Sequence, residues 1–214
     1  MPATTTAIRQ PQATAQSAAA TATRERLIQA AEHCYAQLGI DATTMADIAA
    51  QAQLTRRTLY RYFATRDAML AAVVRREVER FWQAFHATGP AQDDLAEYLV
   101  AALLYTLSHA PQTQSHAFLF DQALLPRVNS IYIDNRDYIA EQAVSFREVY
   151  ERDRARADSR ARPGLDMLMV CEWFNRLAVS YLAAPSPFYR SEQELRTLFR
   201  ALLLPALRCD SAAQ

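Results

Sequence analysis

A chain of 214 residues with 51% hydrophobic and 21% charged residues has the composition of a folded globular protein, and 3 glycines leave too few turn residues for a many-stranded sandwich, barrel or glycine-looped nucleotide fold. Its 23 basic residues, all arginine, balance 23 acidic ones, so net charge alone names no partner. Three widely spaced cysteines without a CxxC pair suggest neither a disulfide framework nor a zinc knuckle, no charge-free apolar run reaches the about 18 residues of a membrane span, and no signal-peptide pattern opens the chain. The expectation is a cytoplasmic protein with no membrane association, no metal and no cofactor.

Residues 1–22 are a low-complexity tract of Ala, Thr and Gln, whose small side chains bury little area, and are expected to form a disordered arm. From Thr23 onward, Leu27, Ala31, Cys34, Tyr35 and Leu38 recur at the spacing of one helix face, which Gly39 ends. A second helix opens at Thr44, with Asp47 in a capping-box position and Met45, Ile48, Ala49 and Ala52 inward. Thr55 caps a short third helix anchored by Leu59 and Phe63, and Thr65 with Asp67 caps a long fourth that runs to Gly89 and Pro90. Beyond it, helices are expected at about Asp93–Ser108, Thr113–Leu124, Arg127–Arg156, Pro163–Ala184 and Ser191–Leu207, separated by prolines. That gives an all-α chain of about nine helices: an arm (1–22), a three-helix head (23–66), a helical body (67–208) and a short tail (209–214).

Two short capped helices separated by a few residues are what a helix-turn-helix requires, and the segment TTMADIAAQAQLTRRTLYRYF supplies them. From Leu54 through Arg66 there are four arginines and no acid. With Leu59 turned inward, 100° per residue sends Arg57 and Arg61 outward and Thr58 and Tyr60 to the sides, with Arg56 in the first turn. Arginine can grip the O6 and N7 of guanine with two hydrogen bonds, and threonine can meet a thymine methyl or a phosphate. A solvated helix face is the alternative for these arginines, and packing within the head is the alternative for Tyr60 and Tyr62.

The stretch from Arg24 to Leu70, with its AQLG turn, its TTMADIA second helix, its TLYRYF third helix and its TRD entry to the fourth, resembles the DNA-binding domain of the tetracycline-repressor (TetR) family. The resemblance implies that Arg56, Arg57, Thr58 and Tyr60 touch bases or nearby sugar and phosphate, and that Thr44, Tyr60, Tyr62 and Arg66 contact the DNA backbone. Arg66 stands where the family usually has lysine, at a helix N-terminus that itself suits a phosphate. Gln53 replaces a common glycine, so a non-glycine residue has a left-handed conformation to tolerate there. For the body, the resemblance implies ligand binding and dimerisation through the last two helices.

In that body, the sequence offers aromatics in plenty, most of them expected in the core. Candidates for a ligand site are Phe81, Phe85, Tyr105, Phe118, Trp173 and Arg176, the last lying among apolar neighbours where a charge needs a partner: an anionic ligand is one reading, a salt bridge or an exposed dimer edge the alternative. A stripe of Leu195, Leu198, Phe199 and Leu202 is the candidate dimer interface. His33, His86, His109 and His116 make no convincing metal set, and Asp93, Asp94 and Glu97 read as first-turn acids rather than a magnesium site. Cys171 reads as a buried thiol, and the alternating charges of Arg147–Arg162 as a solvated helix end and loop. The function expected is a transcriptional regulator, foremost a repressor, that binds a palindromic double-stranded operator as a homodimer and is released by a small apolar or lipid-like effector. A DNA-binding protein whose body holds a protein partner is the second reading, and a helical enzyme the third.

Overall fold

A computed structural model describes residues 11–89, 93–112, 135–189 and 191–209. Among them it has eight α-helices and no strand: α1 Pro11–Leu38, α2 Met45–Gln51, α3 Arg56–Tyr62, α4 Arg66–Ala87, α5 Leu95–His109, α6 Arg136–Arg154, α7 Met167–Ala183 and α8 Glu192–Leu207, with one 3-10 turn at Ala110–Gln112. The helix expected at Thr113–Leu124, the start of the one expected at Arg127, and most of the tail lie outside the described residues.

The chain divides into two compact units, Met1–Val73 and Val74–Gln214, so the boundary falls inside α4 rather than before it. In the first unit, α1 begins at Pro11, which corrects the expected disordered arm for residues 11–22. The tract that looked too poor in bulky residues to fold is rich in alanine, the best helix former, and proline is tolerated in a first turn. Leu27, Ile28, Ala31, Cys34 and Tyr35 turn its inner face to a core that also holds Ile48, Leu59, Phe63, Met69 and Leu70. Gly39 ends α1 at φ +81°, a left-handed geometry open to glycine at little cost.

The second unit is built around α5. This helix buries residues on every side, Leu95, Tyr98, Leu99, Val100, Leu103 and Leu104 among them, which is the pattern of a helix enclosed by others. It packs on α6, α7 and α8, and α6 packs on α7. An aromatic cluster fills the centre: Phe146 lies 5.3 Å from Phe174 and 6.0 Å from Tyr98, and Trp82 lies 5.6 Å from Phe85. At one end, Asp153 is buried at 4% exposure, accepting hydrogen bonds from the Leu95 backbone N–H and the Ser159 hydroxyl, both at 2.9 Å. That corrects the reading of Arg147–Arg162 as wholly solvated: one of its acids closes the start of α5.

Candidate functional site

The head's outward chemistry is concentrated on α3. Thr55 caps it by accepting from the Thr58 backbone N–H at 3.1 Å, and Thr44 forms with Asp47 the reciprocal capping box that starts α2. Between the two helices, Gln53 takes φ 52°, the left-handed conformation that the missing glycine requires, while its N–H and that of Leu54 bond back to Ala50 and Ala49. Leu59 is fully buried and Phe63 nearly so. Their burial fixes the rotation of α3, and Arg56, Arg57, Tyr60 and Arg61 are left exposed, with Thr58 and Tyr62 half-buried. The Arg61 guanidinium lies 5.2 Å from the centre of the Tyr62 ring, which holds both side chains at the surface as one cation–π pair.

Two expected backbone contacts have internal duties as well. The Thr44 hydroxyl donates its one proton to the Asp47 carboxylate at 2.7 Å while accepting from the Asp47 N–H, and that donation, with a second from the Thr44 backbone N–H at 2.9 Å, holds the Asp47 pKa below its usual range. Donation to a phosphate would have to displace that bond. Arg66 reaches across from the start of α4 and donates Nη2 to the carbonyls of Ile40 at 2.9 Å and Asp41 at 3.1 Å. One edge of its guanidinium therefore ties down the turn between α1 and α2.

In the body, the described residues among the six expected at a ligand site do not all gather. Phe81, Phe85 and Tyr105 do come together, with ring centres 5.1 and 5.2 Å from Phe81 and Phe85 to Tyr105, but as packed core. Phe118 lies outside the described residues. Trp173 and Arg176 are corrected: α7 buries the stripe Met167, Val170, Cys171, Phe174, Asn175 and Ala178, which sends both to the outer face, where Arg176 pairs with Glu172 at 3.0 Å. Phe199 is corrected too. It is buried in the same chain, 5.2 Å from the Tyr181 ring, while Leu195 and Leu198 are half-buried and Leu202 is exposed.

A cavity of about 310 Å³ opens between α4 and α6, with Trp82, Tyr98, Tyr138 and Phe146 as aromatic walls and Arg75, Glu79 and Glu141 among its polar lining. Within it, His86 Nε2 and the Tyr98 hydroxyl are 2.9 Å apart. Burial lowers the His86 pKa and pushes the Tyr98 phenol up to about 12, so both are neutral near pH 7. Helical spacing marks Trp82, Tyr98 and Phe146 only as apolar positions of their own helices, and nothing local singles out Arg75, Glu79, Tyr138 and Glu141: the segments meet only through tertiary packing. Nearby, Cys171 is buried with its thiol pushed up to about 12, as suits an inert core residue. A second cavity, of about 490 Å³, lies among Leu107, Pro111, Tyr181, Leu182, Pro187 and Leu195.

Among the described residues, no group of His, Cys, Asp and Glu is placed to hold a metal ion, and no helix is long and apolar enough to cross a membrane. Residues 27–73 match the model for bacterial regulatory proteins of the tetR family. An uncharacterized HTH-type transcriptional regulator of Mycobacterium tuberculosis is 27% identical over 190 residues, covering 88% of this chain and 87% of its own. Among solved structures, the fold is shared with Salmonella enterica GusR (20% identity, TM-score 0.52, 85% of this chain and 95% of that one). It is shared also with a Rhodococcus sp. protein assigned to the TetR family (17% identity, TM-score 0.54, 85% and 96%). RolR in complex with the ligand resorcinol is a third (20% identity, TM-score 0.54, 89% and 90%).

Proposed function

We propose that the chain, whose residues 27–73 match the model for bacterial regulatory proteins of the tetR family, is a DNA-binding transcriptional regulator of that family and not an enzyme: a cytoplasmic repressor that binds a palindromic operator as a homodimer and leaves it when a small, largely apolar or lipid-like molecule binds the body. The observation that carries the reading is α3: four side chains of major-groove chemistry, Arg56, Arg57, Tyr60 and Arg61, exposed on a helix with no acid. One such helix makes too few contacts for specific affinity, and two-fold pairing sets two of them about 34–36 Å apart, one turn of DNA. Release by an effector follows from linkage: a ligand that binds better to the body of the unbound state weakens DNA binding by the same factor. The 310 Å³ cavity supports an effector of small size, as does the resorcinol held by RolR, which shares the fold.

The test is selection of bound fragments from random double-stranded DNA by the purified protein, followed by a salt titration of the winners. An enriched palindrome with half-sites one turn apart supports the reading. Recovery of no sequence, with weak binding that vanishes in moderate salt, defeats it.

A further inference from the structure

The polar lining of the cavity between α4 and α6 is lopsided in charge. Two carboxylates, Glu79 and Glu141, face one guanidinium, Arg75, and His86, half-buried beside the Tyr98 hydroxyl, has its pKa lowered by that burial and adds no charge near neutral pH. Arg75 serves both acids: its Nε lies 3.6 Å from Glu79, its Nη2 is paired with Glu141, and its guanidinium carbon sits 6.0 Å from the centre of the Tyr138 ring. Two carboxylates and an aromatic face are the environment that a delocalised organic cation seeks. The Arg75 side chain is nonetheless 45% exposed, so solvent is open to it as an alternative place.

We propose that this cavity takes a compact aromatic organic cation, about two rings in size, and that Arg75 is the internal cation such a ligand displaces. The size follows from volume: an apolar cavity of about 150 Å³ holds one benzene, and this one measures about 310 Å³. The walls follow from Trp82, Tyr138 and Phe146, which offer ring faces and edges to a planar body. The sign follows from the lining, since a carboxylate ligand would meet Glu79 and Glu141 with one arginine already shared between them. The inference rests on the reading that the body carries the effector site, and it replaces a lipid-like effector with a cationic aromatic one.

The experiment is titration calorimetry of the full chain, without DNA, against three ligands of one shape and different charge: N-methylquinolinium, 2-naphthol and 2-naphthoate. N-methylquinolinium is expected to bind at least tenfold more tightly than 2-naphthol, with 2-naphthoate weakest. Glu141→Gln is expected to weaken the cation about tenfold, and Arg75→Ala to tighten it several-fold by freeing both carboxylates. These effects have opposite signs at two exposed positions, so a folding defect cannot mimic the pair. Equal or tighter binding of the naphthol or the naphthoate, no binding of the cation, or indifference to both substitutions would overturn the proposal. Release of the selected operator is measured separately. Cation binding without release upholds the cavity's ligand class and defeats the effector reading, whereas release by dodecanoate with no binding of the cation upholds the effector reading and defeats the ligand class.

Discussion

A guanidinium has two edges, and at Arg66 one of them bridges the Ile40 and Asp41 carbonyls. A phosphate contact would use the other, so the residue joins two roles that substitutions can separate. Arg66→Lys keeps the charge and loses the fork; it is expected to cost about 1 kcal/mol in stability and to leave the salt dependence of operator binding intact. Arg66→Ala loses both, and the slope of log affinity against log salt is expected to become shallower by about 1. Anisotropy titrations of labelled operator over a salt series read this directly, and an unchanged slope for Arg66→Ala would leave the residue as a clamp alone. His86 gives a second test. Its folded pKa lies below the ordinary 6.5 because burial disfavours the charged form, so the unfolded chain binds the proton more readily. The stability it contributes is present above pH 6.5 and is lost as pH falls from there through the folded pKa. Between pH 7.5 and 5.5 the melting temperature of the wild type is expected to drop further than that of His86→Gln, and parallel curves would sink the assignment. At this scale the sequence was most informative where chemistry is local: the Thr44 box, the Thr55 cap and the left-handed Gln53 are all set within three residues of themselves. The carbonyl partners of Arg66 lie 26 and 25 positions upstream, and no local rule points to them.

Helices begin with backbone N–H groups that lack partners, and α5 meets that need from two places. Asp94, adjacent in sequence, caps the Glu97 N–H at 3.1 Å; Asp153, 58 residues downstream near the end of α6, takes the Leu95 N–H at 2.9 Å. The second bond is buried, so removing its acceptor strands a donor away from water. Asp153→Ala is expected to cost about 2–3 kcal/mol, and Asp153→Asn less because its amide oxygen still accepts. Urea unfolding with an unchanged slope and a lowered midpoint is the expected result, and a loss under about 0.5 kcal/mol would mean that water replaces the carboxylate. The same contrast explains what could be read of the elements. The apolar period of α4, α7 and α8 located them, and glycine or proline located the ends of α4 and α7, whereas α8 runs on past Pro205 to Leu207. The alanine-rich start of α1 escaped because its helicity comes from propensity rather than from an apolar face.

At the scale of the whole molecule, an apolar stripe can serve the core of its own chain or that of a dimer, and sequence does not distinguish them. The stripe of α8 divides: Phe199 and Leu203 are spent on the core around α5, and Leu202 is left 62% exposed. On α7 the division falls between Phe174, which is buried, and Met169 and Trp173, which are exposed. If the family's pairing through the last two helices holds here, the interface consists of these outer side chains and excludes Phe199. A buried aromatic anchor commonly dominates such a surface. Trp173→Glu and Leu202→Glu are therefore each expected to yield monomers in sedimentation velocity while the melting temperature changes little, because neither side chain belongs to the core. Binding to a single half-site should be unchanged, since α3 is untouched, whereas binding to the full palindrome should fall about a hundredfold as the second head ceases to be delivered with the first. A dimer that survives both substitutions would place the interface elsewhere on the body. A monomer that still bound the palindrome at full strength would remove the need for pairing altogether.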